Sequence, residues 1–330
     1  MPNVLILSRS IDAHVPPVVE ELSKRGVETI HFNLADFPKE VTLAATLISF
    51  SGSWSGGFTH QGHMLSFENL VSVWRRRPTS YKVAEEGYTL GQKKFIEEEA
   101  DRAFLGIVES FSQAPLVVSQ THAVRRAELK ALQLAIAQRL GMRVPRTLLT
   151  NDPVAAKAFY ETCKGQVILK AVSRGIIDEQ SDALNKALYT TKIETEHLSE
   201  NRIQQMRLTG HVLQEYIPKA LEVRVVVIGK RVFTAEIHSP HLDFRERYGD
   251  NSYKVHQLPA AVEHQVLALV KEFELQFSSM DLLVSPDGEY LFIDLNPNGQ
   301  WLWLQQHIGE GFPLKEAMAD LLAFPKDFCL

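Results

Sequence analysis

The sequence predicts a mixed α/β protein: an N-terminal α/β unit over residues 1–120, then two α+β units over residues 121–210 and 211–330. Three stretches carry that expectation. Near the amino terminus, Asn3–Leu7, Pro16–Arg25 and Val27–Phe32 alternate as strand, helix and strand. Further on, Gln166–Val172 is an apolar, β-prone run with Lys170 inside it. Finally, Ser278–Gln300 places two runs rich in Leu, Val, Ile, Phe and Tyr on either side of Pro286-Asp287-Gly288, the pattern of a β-hairpin.

At 330 residues there is room for two or three domains. A hydrophobic share of 45% against 23% charged residues excludes a disordered chain. No apolar run approaches the roughly 20 residues of a membrane span, so no membrane partner is expected. The opening MPNVLILS has no basic flank and reads as a strand, not a signal peptide. Two cysteines, Cys163 and Cys329, are too few for a disulfide framework, which fits a reducing cytoplasm. A net charge of −5 disfavours nucleic acid as the main partner and leaves an acidic peptide in a local basic groove compatible.

The elements follow in order. The first helix stops at Gly26, and its preceding turn, Ser8–His14, has no glycine, which disfavours a Rossmann dinucleotide site. Residues 46–67 read as strands and turns. Val71–Trp74 reads as a strand leading into Arg75-Arg76-Arg77-Pro78, three arginines that are either a solvated edge or an anion or peptide contact. Gly91–Ser112 reads as a helix with Glu97-Glu98-Glu99 on its wet face. Ala123–Leu140 reads as one helix with the stripe Leu129, Leu132, Ile136 and Leu140, ended by Gly141; Lys130 lies off the stripe, as a surface lysine would. Thr147–Leu149 is a strand, and Asn151-Asp152-Pro153 starts a helix running to Cys163. The polar Ser173–Leu198, opening on Ser173-Arg174-Gly175, reads as a flap over a site. His211–Ile217 is a strand stopped by Pro218, Leu221–Ile228 and Arg231–His238 form a hairpin about Gly229-Lys230, and Val262–Leu275 is a helix. Trp301–Leu304 and Leu314–Leu322 close the chain.

Candidate site residues emerge from charges placed in apolar strands. If Asp287-Gly288 is a two-residue loop, Pro286 faces Glu289 and Asp281 faces Asp294, with Asn296 on the same face. Directly paired carboxylates repel. A divalent cation with oxygen ligands relieves that, and two Asp and an Asn suit Mg²⁺; solvent-facing aspartates are the alternative. Lys170 either pairs with an anionic ligand or snorkels to water. Glu222 and Arg224 share a strand face, as a salt bridge or as part of a polar site. His238, His241 and Asp243 match no strong zinc spacing.

Taken in order, a helix lysine (Lys130), a strand lysine (Lys170), a linker with Glu215, a Glu222-x-Arg224 hairpin and an Asp281…Asp294-x-Asn296 hairpin resemble the ATP-grasp superfamily. The segments Arg125–Leu134, Pro145–Asn151, Trp74–Pro78 and Asn296–Trp301 look more narrowly like the microviridin-type ligases, the graspetide synthetases. The resemblance implies an α+β ATP-grasp fold, with a pre-ATP-grasp domain and two subdomains that clasp ATP. It implies an enzyme that crosslinks a ribosomally made precursor peptide, leader plus acidic and hydroxyl-rich core, through ω-esters or ω-amides, and a homodimer. Lys130 and Lys170 would then contact nucleotide phosphates. Gln214, Glu215, Tyr216 and Ile217 would hold adenine, and Glu222 the ribose. Arg224 would steady the transferred phosphoryl group, and Asp281, Asp294 and Asn296 would bind Mg²⁺. Asp243-Phe244-Arg245 resembles a D-W-R-like segment near the substrate, which places Arg245 at the acyl-phosphate and offers Asp243 as a base for a hydroxyl. The chain departs from the pattern in having only Gly175 in the flap, and Asp at 294 where Glu is common. A ligase adding a free amino acid, like the ribosomal-protein glutamate ligases, and a nucleotide- or peptide-binding module without catalysis are the competing expectations.

Overall fold

A strand apolar from Val4 to Leu7 is stable only with both faces covered. Strand β1 (Asn3–Ser8) accordingly lies inside a four-stranded sheet in the computed structural model, which describes residues 2–47, 52–111, 115–173, 175–177, 186–309 and 311–330. It is followed by α1 (Val15–Lys24), which has a proline in its first turn and stops before Gly26 (φ +70°), and by β2 (Glu28–Phe32). A meander of β3 (Val41–Leu47), β4 (Trp54–His60) and β5 (His63–Ser66) comes next, then β6 (Leu70–Arg77), α2 (Leu90–Glu109) and β7 (Leu116–Val118). The parallel sheet runs β2-β1-β6-β7. One face packs Leu5, Leu7 and Val73 on α2 and the meander. Residues 48–51, within the stretch expected as strands and turns, and Ser112 lie outside the described residues.

The other face of this sheet is closed by the far end of the chain. Val4, Ile6 and Trp74 share a core with α1 and with α8 (Leu302–Ile308) and α9 (Leu314–Ala323) once the chain returns. Before that return come α3 (Thr121–Ala127), α4 (Lys130–Arg139), β8 (Thr147–Thr150), α5 (Pro153–Thr162) capped by Asp152, and β9 (Val167–Lys170). Short strands β10 (Ile176–Ile177), β11 (Lys186–Ala187) and β12 (Thr191–Lys192), helix α6 (Glu200–Ile203) and β13 (His211–Glu215) complete the middle of the chain. Its sheet, in order β12-β9-β13-β8, buries Val167 and Leu213 against α5 on one face and turns Lys170 and Gln214 to the other. Of the expected flap, Arg174 and residues 178–185 lie outside the described residues.

The last sheet, β16-β15-β14-β17-β18, is antiparallel. It is built from β14 (Leu221–Ile228), β15 (Arg231–His238), β16 (Ser252–Val255), β17 (Phe277–Val284) and β18 (Tyr290–Asn296), with α7 (Ala260–Glu272) on the face carrying Val223, Val225 and Leu282. A last turn, α10 (Pro325–Phe328), ends the chain. Along the opposite face of β14, Glu222 and Arg224 are polar while Val226 and Ile228 join the core under α8 and α9. One strand face therefore changes from site to core along its length.

Three expectations need correction. The helix expected from Ala123 to Leu140 is broken: Leu129 is extended (ψ 95°) and 57% exposed, so α4 starts afresh at Lys130. The hairpin loop has three residues, not two. Ser285 N–H donates to Glu289 C=O (3.0 Å) and Gly288, at φ +80°, donates to Ser285 C=O (2.9 Å). A register shift between Asp281 and Leu282 then compensates, so that Asp281 still pairs with Asp294.

Among the arginines of β6, Arg76 and Arg77 are not a solvated edge. Arg76 is 1% exposed and donates to the Asn298 carbonyl (2.5 Å), and Arg77 donates to the same oxygen (2.7 and 3.1 Å). Behind them Asp12 lies 3.8 Å from Arg76, and His14 Nε2 accepts the N–H groups of Trp301 and Leu302 (3.3 Å each). Arg76→Met, which keeps the stem and removes the guanidinium, is expected to lower unfolding stability by about 2 kcal/mol in urea denaturation, since hydrogen bonds to charged groups carry about that much. Arg77→Met, half-buried and sharing the same acceptor, is expected to cost less than half of that.

Candidate active site

The middle and C-terminal sheets face each other across a cavity of about 470 Å³. Ile168 and Val212 from one sheet, Leu283 and Ile293 from the other, and Leu134 of α4 form an apolar part of its wall. The linker from Glu215 to Ala220 crosses between the sheets, and Ser239–Arg245 closes another side. An apolar slot with a few convergent charges is the usual form of a small-ligand site.

Strand alternation turns Lys170 into this cavity, where its Nζ donates to Gln214 Oε1 (2.8 Å) and Gln214 Nε2 donates to Thr147 Oγ1 (2.9 Å). Burial pushes the Lys170 ammonium down to about 8; Asp294 opposes the shift and Lys130 adds to it. Lys130, the first residue of α4, brings its Nζ 3.9 Å from Asp294 Oδ2. It is therefore a cavity cation, not the surface lysine that periodicity suggested, because the helix break redirects it.

Arg224, Asp281 and Asp294 stand side by side on three adjacent strands. Arg224 Nε lies 2.7 Å from Asp281 Oδ1, off the N–H direction, and Nη2 donates to Oδ2 (3.3 Å). Burial raises the proton affinity of Asp281; Arg224 works against that and Asp294 adds to it. The guanidinium also lies over the rings of Phe244 (5.4 Å) and Trp303 (5.9 Å) and sits behind the cavity wall. Asn296 is one pleat beyond Asp294 on the same face, exposed, with Oδ1 accepting the Asn298 N–H (3.1 Å). The structure thus brings Asp281, Asp294, Lys130 and Lys170 together and leaves Asn296 outside the cavity wall.

The remaining expected residues are placed as follows. Gln214, Glu215, Tyr216 and Ile217 line the wall. The Glu215 carboxylate is held by Arg146 through two hydrogen bonds (2.8 and 2.9 Å), and Tyr216 N–H donates to Gln166 C=O (3.0 Å). Glu222 pairs with Lys219, whose Nζ also donates to the His241 carbonyl (2.7 Å). Burial raises Glu222, and Lys219 opposes the shift. Asp243 is buried with both oxygens taken by Arg245 (2.6 and 2.8 Å). Burial works against its charge, yet Arg245 holds it at about 2. Such a group orients Arg245 and is a poor base at neutral pH.

His238 and His241 bond to Glu236 (2.8 Å) and Asp250 (2.7 Å), away from each other. Among the described residues no three His, Cys, Asp or Glu side chains gather to hold a metal. The zinc reading therefore has no site there. The two carboxylates do fit a Mg²⁺ that takes further oxygens from phosphates: burial raises the proton affinity of Asp281, which a cation would offset, and both donors are hard. Lys219, Arg146 and Gln133 were not anticipated. The signal for Gln133 was an amide at a buried position of a helix, 2% exposed; the other two had none beyond charge.

Comparison with known proteins agrees with this architecture. Residues 3–125 match the family model "MvdD pre-ATP grasp domain" and residues 126–315 the model "RimK-like ATP-grasp domain". Among solved structures, the macrocyclase MdnC from Microcystis aeruginosa MRC, bound with precursor peptide MdnA, is 27% identical at a TM-score of 0.82, over 98% of this chain and 100% of that one. A RiPP-associated ATP-grasp ligase of Chryseobacterium gregarium, in complex with ADP and a leader and core peptide, is 26% identical at a TM-score of 0.85, over 98% and 96%. The macrocyclase MdnB of the same Microcystis is 27% identical at 0.79, over 98% and 100%. A search of curated proteins found no match. A pre-ATP-grasp domain in front, two sheets clasping a cavity behind it, and a family model spanning more than half of the chain lead to one conclusion: this protein belongs to the RimK-like ATP-grasp family and is an ATP-grasp ligase.

Proposed function

We propose that the protein is a peptide macrocyclase that uses ATP to activate Asp or Glu side chains of a ribosomally made precursor as acyl-phosphates and joins them to Ser or Thr hydroxyls, or to Lys amines, of the same peptide. The observation that carries this reading is the convergence of Lys130, Lys170, Asp281 and Asp294 at one end of an apolar cavity, with Arg245 at its edge. Apolar walls suit a base, and clustered cations suit a polyphosphate. Its likeness to MdnC and to the Chryseobacterium ligase, both solved with peptides, supports a peptide as the second substrate. A homodimer is part of this reading on the resemblance of the sequence motifs, and the cytoplasm on the two cysteines, Cys163 and Cys329, which are both free; among the described residues no helix is long and apolar enough to cross a membrane.

In this reading the adenine lies against the linker from Gln214 to Ile217, with the ribose near Glu222. Lys130 and Lys170 bind the phosphates. Asp281 and Asp294 would hold Mg²⁺, with Asn296 reaching in from beyond the cavity wall as a further oxygen donor once it releases the Asn298 N–H, and the ion would supply charge neutralisation to the phosphates. A peptide carboxylate oxygen attacks the γ-phosphorus, and the bond to the ADP oxygen breaks. Arg245 neutralises charge on the transferring group and on the acyl-phosphate, and Arg224 adds its positive field from behind the wall, beside Asp281. The acceptor oxygen or nitrogen then attacks the acyl carbon, phosphate leaves, and the acceptor's proton passes to the departing phosphate. Asp243 keeps Arg245 oriented through this step. The net change in the peptide is loss of one water per ring.

Mass spectrometry of a precursor peptide encoded beside this gene, after incubation with enzyme and Mg-ATP, is expected to show ATP-dependent loss of water, with mild alkali reopening esters and sparing amides. A gain of amino-acid mass when free amino acids are supplied would establish the glutamate-ligase alternative instead. Asp294→Asn, which removes one charge from the proposed metal pair, is expected to lower turnover at least about 100-fold, and unchanged turnover would remove the metal assignment. Because Lys170 titrates near 8 in the free protein and phosphates favour its charged form, nucleotide binding is expected to take up protons near pH 8. Affinity should then fall by roughly fivefold from pH 8 to pH 9 as the protonated fraction drops from about a half to about a tenth. Calorimetry in two buffers of different ionisation heat reads both effects.

A further inference from the structure

Gln133 is 2% exposed and lies one helical turn after Lys130. Its side-chain N–H groups donate to the carbonyls of Ala127 (2.6 Å) and Leu295 (2.8 Å), and its oxygen accepts the Leu295 N–H (3.0 Å). We propose that Gln133 is the positioning residue that fixes Lys130 against the carboxylate end of the site, by docking α4 on the edge of β18 as a strand would.

Two features of the backbone make this amide hard to replace. At the break the carbonyls of Val124 and Arg126 accept the N–H groups of Glu128 and Leu129 (3.0 and 3.3 Å), and the Gln133 amide takes up that of Ala127. On the other side β18 is an edge strand, and an edge exposes unpaired N–H and C=O groups. Phe292 N–H is satisfied by the Arg143 carbonyl beyond the end of α4 (2.8 Å), and Leu295 by Gln133. The helix is thereby tied to one strand at two points. The inner tie is to the residue next to Asp294, and Lys130 stands one turn away with its Nζ 3.9 Å from that carboxylate. Gln133 borders the cavity, but both of its N–H groups are committed to backbone oxygens, so it acts through Lys130 and not on the ligand.

This inference rests on the proposed contact of Lys130 with the nucleotide phosphates, and a double-mutant cycle on nucleotide affinity separates the two. The full-length protein carries Lys130→Ala, Gln133→Met or both, and the dissociation constant of Mg-ADP is measured by calorimetry beside the thermal midpoint without nucleotide. Gln133→Met keeps the length of the side chain and removes its polar end. The expected result is about tenfold weaker binding for Gln133→Met, at least that for Lys130→Ala, and no further loss in the double variant, because residues acting as one unit are not additive. Ile136→Val, which loosens the core face of the same helix, is expected to lower the midpoint and leave affinity unchanged. If Gln133→Met does not fold, Gln133→Glu is read in its place, since it keeps the shape and loses both donors. Losses that multiply in the double variant, or a Gln133 variant that lowers only the midpoint, would overturn the tether. Unchanged affinity in Lys130→Ala would overturn the phosphate contact and the tether with it.

Discussion

Two carboxylates facing each other across paired strands are the constraint around which this protein is arranged. Asp281 and Asp294 repel at that spacing, and no helix or loop can relax them without giving up the register of β17 and β18. The fold answers from three directions. Arg224 comes from the neighbouring strand within the same sheet, Lys130 from the start of a helix, and Arg245, itself oriented by Asp243, from the loop after β15. Each of these cations already has a carboxylate beside it. A site with interleaved charges of both signs suits a polyphosphate bound with its cation better than either alone.

Lys170 differs from the other cations. It comes from the opposite sheet, its pairing is to a neutral amide, and it is the one whose charge burial disfavours most clearly. Its environment is therefore completed by what enters between the sheets. That gives the two halves of the clasp unequal parts: the C-terminal sheet is largely balanced electrostatically, while the middle sheet waits for its counter-charge.

Much of this was legible in the sequence, because strands announce themselves by alternation and turns by Gly, Pro and Asp. Asp281 and Asp294 were paired correctly from a count that assumed a two-residue loop; the loop has three residues, and a bulge restores the pairing. Two local errors of opposite sign cancelled, which a count along one chain cannot detect. The broken helix was not legible, since Leu129 completes a good apolar stripe, and the tertiary contact that accompanies the break joins Gln133 to Leu295, 162 residues away. The arginines of β6 were ambiguous for the same reason, as their acceptor, the Asn298 carbonyl, is 222 residues from Arg76. Periodicity reports which face of an element is apolar; it carries no information on which distant backbone group a polar side chain will find.

The parallel sheet of the N-terminal unit shares one face with helices made last. Val4, Ile6 and Trp74 are covered in part by α1 and for the rest by residues 302–323, so the core of the first domain is complete only when the far end of the chain has returned to it. Any truncation before α9 therefore leaves the first domain, not only the last, without a complete core.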